Sequence, residues 1–369
     1  MLRQRSTALP LAAVYALLVV YASLYPFGEL RWPAGASWAE LLQLPWPRWR
    51  HRFDEVSNFL GYVPLGALLA LGWARAGVPA ALGALGALLL PGLLSYALEC
   101  TQHFIPGRVP SARDWALNTS GAALGVVLAM CLRGLGWVDR WRLWRLRWFE
   151  PQASPALVLL MLWPVALLFP APLPLGLGQM FDELGAWIPE LLEGTPWAGA
   201  VAPPVVQRGV LRQALSPWVE GVAVGAGLLA PCLLAFASLR PGWRRLLVPA
   251  LVLGTALATT ALSTALNFGP AHAWAWVTPA VAPGLMGGFA LSVGAAALQP
   301  RLAAALGLVA LATVVSLGAS APADPYFAAS LQLWEQGQFI RFHGMSQWVG
   351  WAWPYAAMGW LLSRLASAR

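Results

Sequence analysis

Lysine is missing from this chain: all 23 basic residues are arginine, against 15 acids in 369 residues. Charged side chains make up only 10% of the sequence, where a soluble domain averages about 25%. A water-facing shell around a core of this length cannot be built from so few, which excludes a soluble enzyme or soluble binding module. Cysteine is scarce too. Cys100, Cys131 and Cys232 are the three present, and they fall near the ends of separate apolar runs. A bridge between opposite membrane faces is geometrically impossible, and a pair on the inner side would meet a reducing compartment, so three free thiols are expected. His51, His103, His272 and His343 show no H-E-x-x-H or comparable spacing, and the Gly-rich piece 284–288 carries no phosphate-loop or dinucleotide pattern. Neither a metal nor another cofactor is expected. The net charge of +8 would point to nucleic acid in a soluble protein. In a chain this apolar it reflects arginine collecting in loops on one membrane side, and no nucleic-acid partner is expected.

What the chain has in plenty is hydrocarbon. Apolar residues are 59% of it and the mean hydropathy is +0.63. Ten apolar runs follow one another: 9–25, 59–74, 79–100, 115–132, 155–172, 218–239, 246–266, 273–298, 302–320 and 348–365. Lengths near 20 residues suit bilayer spans. The expected fold is an all-α polytopic integral membrane protein of about ten transmembrane helices, with nine or eleven as alternatives. Arg3 and Arg5 precede the first run, and no A-x-A-like cleavage site follows it, so that run is read as a retained span. Arginine is dense in 132–154 and 240–245 and absent from the short loop 267–272. The positive-inside rule then places both termini in the cytoplasm. Arginine as the sole basic residue, with abundant Ala, Gly, Pro and Trp, fits a high-GC bacterial genome, hence the bacterial inner (plasma) membrane.

Three loops carry patterns of their own. Trp137, Trp141, Trp144 and Trp148 recur at four, three and four, amid Arg140, Arg142, Arg145 and Arg147. That reads as a cytoplasmic amphipathic helix over 137–153, lying in the headgroup region. It divides the chain into a four-helix membrane part, 1–136, and a second membrane part, 154–369, of about six spans. In the latter, an outer loop over 171–217 is long enough to be functional, and 179–193 within it reads as a short acidic amphipathic helix. The outer loop 37–53 mixes Trp, Arg and Pro and is expected on the outer surface. Mid-run prolines Pro91, Pro231 and Pro283 read as static kinks.

The most informative stretch is 99–125, ECTQHFIPGRVPSARDWALNTSGAALG. Glu99 ends the third run and Asp114 opens the fourth, so both carboxylates lie where hydrocarbon meets headgroup, a costly place without partners. Glu99, Gln102 and His103 share one helical face at i, i+3 and i+4. Asp114, Asn118, Gly121 and Gly125 form one stripe, polar at its outer end and small at its inner end, where another helix can approach closely. Asp54 and Asn58 open the second run on the same outer side, and Arg108 and Arg113 lie in the loop between the third and fourth. Asp54 and Asp114 suit helix N-termini.

Taken in order, Asp54 with N-F-L-G-Y-V-P-L-G (58–66), E-x-x-Q (Glu99, Gln102), P-G-R (106–108) and D-W-x-x-N-x-x-G-x-x-x-G (114–125) resemble the VanZ-like membrane family over roughly 9–135. One departure is Glu55, which follows Asp54 where the family often has a basic residue, so no charge pair is expected there. The resemblance implies a four-helix bundle and, since the family is named for a teicoplanin-resistance determinant, a part in envelope assembly or glycopeptide tolerance. Two readings of the cluster Asp54, Asn58, Glu99, Gln102, Arg108, Arg113, Asp114 and Asn118 stay open. It serves only to cap and pair helices, or it forms a site. As a site, its guanidiniums suit phosphate or carboxylate, and its acids suit a sugar hydroxyl, an ammonium or general-base work. Membrane lipids, and a lipid-linked cell-envelope precursor, are the expected partners. A binding protein leads; an integral membrane enzyme acting on a lipid-linked phosphate or sugar, and a transporter or flippase, are the alternatives. The catalytic residues, if any, and the oligomeric state are not assigned.

Overall fold

The computed structural model describes residues 8–24, 30–33, 35–47, 52–169, 171–181, 184–185, 195, 215–321 and 340–367. Among them the α-helices are, in chain order, α1 (Ala8–Leu24), α2 (Trp38–Leu41), α3 (Arg52–Ala76), α4 (Ala80–Gln102), α5 (Ala112–Gly134), α6 (Trp137–Trp148), α7 (Ser154–Leu168), α8 (Pro217–Ser238), α9 (Leu247–Phe268), α10 (Val281–Ala295), α11 (Pro300–Ser320) and α12 (Ile340–Ala366). The described residues hold no strand beyond one isolated bridge, Phe149 to Leu239. The protein is an all-α membrane protein, and each of the ten apolar runs coincides at least in part with one of these helices. Among the described residues, six helices are long and apolar enough to cross a bilayer: α3, α4, α5, α8, α9 with its leading turn, and α11. At about 1.5 Å per residue, the 15-residue α7 and α10 fall short of a hydrocarbon core about 30 Å thick.

The chain divides into two units, Met1–Trp144 and Arg145–Arg369. The division falls inside α6. Cys100, Cys131 and Cys232 are all free thiols.

In the first unit α4 packs on both α3 and α5, which are themselves closely paired, and α1 lies against α3. Around the α1–α3 contact, Ala12, Tyr62, Leu65 and Ala122 are buried among Tyr15, Val19 and Leu94. The Tyr15 hydroxyl donates to the Gly61 carbonyl at 2.9 Å. α3 begins at Arg52, earlier than the apolar run at 59, because Asp54 and Glu55 occupy its first turn, where the helix dipole favours acids. Before it, the single turn α2 is closed by a capping box: Ser37 accepts from the Glu40 amide and the Glu40 carboxylate accepts from the Ser37 amide. α4 runs unbroken through Pro91, and the Trp115 indole donates to the adjacent Gly92 carbonyl at 3.0 Å.

The second unit is built around α8. The apolar window of α8 is 72% buried, against 28–39% in the other five long spans. Leu228, Leu233, Leu234 and Phe236 from it form the heart of the largest hydrophobic cluster. Gly221 and Gly225 meet Gly284 and Gly288 backbone to backbone, and a Cβ at Gly284 would come within 2.5 Å of the Gly221 carbonyl oxygen. The expected run at 273–298 becomes a helix only from Val281. Residues before it turn, and the Thr278 hydroxyl accepts from the Val281 amide at 3.3 Å. Pro283 is therefore in the first turn, where no N–H is needed, and not mid-span as the sequence indicated. The acidic helix expected over 179–193 lies largely outside the described residues.

Arg245, read from sequence as a loop charge, is fully buried. Its guanidinium donates to the carbonyls of Phe236 (2.7 Å), Leu239 (2.6 Å) and Leu298 (2.5 Å). These carbonyls end α8 and follow α10, where helices leave acceptors without partners and the dipole is negative. One cation thus ties two helix C-termini together.

Candidate functional site

Every residue of the expected cluster belongs to the Met1–Trp144 unit. Three helices each bring a polar stripe with a four-residue step: Asp54, Asn58 and Tyr62 on α3, Ser95 and Glu99 on α4, Asp114 and Asn118 on α5. Residues four apart share a helix face. Ser95 and Asn118 lie roughly 10 Å from the ends of their helices at about 1.5 Å per residue, so the stripes reach well below the membrane boundary.

Glu99 is 5% exposed, and its Oε2 accepts from the Ser111 amide at 2.8 Å. Ser111 then caps α5, its hydroxyl accepting from the Asp114 amide at 3.1 Å. Ser111 is the N-cap of α5, and Asp114 sits in its first turn. One turn deeper, the Asn118 Nδ2 donates to the Ser95 hydroxyl at 2.9 Å. The Asn118 Oδ1 is buried and, among the described residues, meets no hydrogen-bond partner. Turning the amide over would hand the same vacancy to the nitrogen. Tyr62 brings its buried hydroxyl beside Ser95 and Glu99 in hydrogen-bond geometry with neither. The buried Nε2 of His103 has no partner either.

At the rim of the cluster, Arg113 pairs with Glu55 at 3.3 Å and its guanidinium lies 5.5 Å from the Trp46 ring centre. The residue that departs from the family pattern is thus an ion-pair partner, because its position in the first turn of α3 faces the start of α5. Arg108 is half-buried in a turn closed by its amide on the Ile105 carbonyl at 3.1 Å, with Gly107 at φ +80°, a conformation that suits glycine. Gln102 turns elsewhere: its Nε2 donates to the Ser23 carbonyl at 3.0 Å, tying α4 to the end of α1. Asp54 and Asn58 are half-buried. The structure thus brings together Glu99, Asp114 and Asn118 through Ser111 and Ser95, and turns Gln102 away. Among the described residues, no group of three His, Cys, Asp or Glu is placed to hold a metal ion.

Below these groups, glycine lets two main chains touch. A Cβ at Gly121 would overlap the Phe59 carbonyl, one at Gly125 the Val63 carbonyl, and one at Gly66 the Ala122 carbonyl. A cavity of about 300 Å³ lies at the opposite end of the same helices, lined by Ala74, Gly83, Ala84, Ala129 and Arg133 among others.

Sequence reasoning missed Tyr62, Ser95, Ser111 and Glu55. The first two continue stripes already visible at Asn58 and Glu99, so extending each by one turn finds them.

Residues 7–133 match the family model described as VanZ/LLP1, and that third of the chain is VanZ-like. No curated protein and no solved structure matches the chain.

Leucine at Gly121 or Gly125 is expected to abolish folded protein. The atoms struck belong to the main chain of α3, so the cost exceeds the roughly 1–3 kcal/mol of ordinary overpacking. Yield and thermal melting in detergent check this; variants that accumulate and melt like the wild type contradict it.

Proposed function

We propose that this VanZ-like membrane protein binds the polar part of a membrane amphiphile, a lipid-linked cell-envelope precursor, at the polar groups of the three stripes, and that it acts in envelope assembly or glycopeptide tolerance. The supporting observation is the unfilled hydrogen-bonding capacity of Asn118 and Tyr62, both only 5% exposed and, among the described residues, without a partner for Oδ1 and the hydroxyl. A buried polar atom left unmade costs about 1–3 kcal/mol. Two of them at one depth, beside Glu99, suit a ligand rich in hydroxyl groups. Arg113, half-buried at the rim, suits a phosphate at the headgroup level. Binding is favoured over group transfer because the Glu99 carboxylate is engaged in holding the Ser111 amide.

Asn118→Leu tests this. Leucine has as many side-chain heavy atoms as asparagine and none of the polar ones; made together with Ser95→Ala, so that neither partner of the Asn118–Ser95 bond is left alone, it costs a purely structural site little. The full chain is purified in native-lipid discs and its retained amphiphiles are identified by mass spectrometry. A hydroxyl-rich, lipid-linked species is expected on the wild type and at least tenfold less of it on the Ser95→Ala, Asn118→Leu double variant, with the melting temperature held. Identical lipid profiles sink the proposal.

We further place the protein in the bacterial plasma membrane with both termini and α6 in the cytoplasm, supported by the arginines of 133–147 and 240–245. In a cysteine-free background, Asp139→Cys should resist an impermeant thiol reagent in intact cells and react after permeabilisation. Labelling of intact cells reverses the orientation.

A further inference from the structure

A second lipid contact is legible in the Arg145–Arg369 unit, independent of the first. The end of α6 lies alongside the end of α8. The Arg240 amide donates to the Trp148 carbonyl at 2.9 Å and the Glu150 amide to the Ser238 carbonyl at 3.0 Å. Two guanidiniums are fastened to this junction by main-chain carbonyls. Arg240 Nε donates to the Phe149 carbonyl at 3.4 Å. Arg244 donates to the Arg147 carbonyl at 2.7 Å and stacks on the Trp148 indole, 4.8 Å from its centre. Residues 147 and 149 are at most about 7 Å apart along the chain, so the two cations are held close together.

Among the described residues, neither Arg240 nor Arg244 meets a carboxylate. The nearby acid, Glu150, is paired with Arg364. Arg240 and Arg147 are exposed and Arg244 is half-exposed, so their positive charge is fixed in place and open to an anion. Depth says which anion. α8 ends at Ser238 and the next span begins at Trp243, so this loop lies at the membrane boundary. Trp243 is 69% exposed there, as an indole at the headgroup level should be.

We propose that Arg240, Arg244 and Trp148 form a site for the phosphodiester of an anionic glycerophospholipid. The forked guanidiniums would grip phosphate oxygens while Trp243 dips among the neighbouring lipids. This goes beyond the general attraction of arginine-rich loops to an anionic leaflet, because it assigns a discrete headgroup to two oriented side chains.

Native mass spectrometry of the full chain, titrated with phosphatidylglycerol or phosphatidylcholine, tests it. Arg240→Gln with Arg244→Gln should weaken phosphatidylglycerol binding at least tenfold. Arg75→Gln with Arg301→Gln, which removes equal charge elsewhere, should change it less than twofold. Phosphatidylcholine should bind more weakly than phosphatidylglycerol, and inorganic phosphate at 10 mM should not displace the lipid. Equal loss in both double variants leaves only a diffuse field and overturns the site. So does equal binding of the two lipids, or displacement by phosphate, which would mark a free-anion site. Should the double glutamine variant fail to fold, Arg244→Lys keeps the charge and loses the fork. At least threefold weaker binding is then expected, and unchanged binding contradicts the proposal.

Discussion

A carboxylate among membrane helices must be met by donors, and in the VanZ-like unit the Ser111 main-chain amide meets Glu99. Much follows from that bond. It fixes where α5 begins, because Ser111 caps the helix. The start of α5 fixes its register against α3 and α4. Asn118, seven residues on, reaches Ser95. Gly121 and Gly125, ten and fourteen residues on, face the carbonyls of Phe59 and Val63. A one-residue slip would turn the helix by about 100° at 3.6 residues per turn, taking the glycines off the contact and pressing side chains against the main chain of α3. The polar end and the small end of this bundle therefore specify one another.

The second unit solves the same problem with the opposite charge. Its buried ion, Arg245, is satisfied by carbonyls at the ends of α8 and α10, so helix dipoles serve where a carboxylate would otherwise be required. Its close helix crossing, Gly221 and Gly225 on Gly284 and Gly288, joins the same two helices. In each unit, then, a buried ion is held by main-chain groups and a glycine pair lets two helices touch. In lipid, where apolar burial gives helices little reason to associate, packing and hydrogen bonding carry that task.

The helices were legible because hydrocarbon length and charge scarcity leave few arrangements. Finer roles were less so. Ser111 and Ser95 are ordinary residues in sequence, and their roles come from partners 12 and 23 positions away. Gln102 shares a face with Glu99 yet bonds α1, because the end of that helix supplies an unpaired carbonyl. Glu55 breaks a sequence pattern and still pairs with Arg113, since a pair requires proximity and not a particular order of charges along the chain. Arg245 was indistinguishable from its neighbour Arg244, although one is buried and the other half-exposed at the surface. Only the turn between α8 and α9 separates their fates.

The central claim is that a membrane amphiphile binds at the Asn118 amide and the Tyr62 hydroxyl. An electron cryomicroscopy structure of the full chain in native-lipid discs tests it most directly. Elongated density touching both the Asn118 amide and the Tyr62 hydroxyl, and continuing into the surrounding lipid, is the predicted result. An Asn118 amide and a Tyr62 hydroxyl satisfied by protein side chains, with no density beside them, would contradict the account.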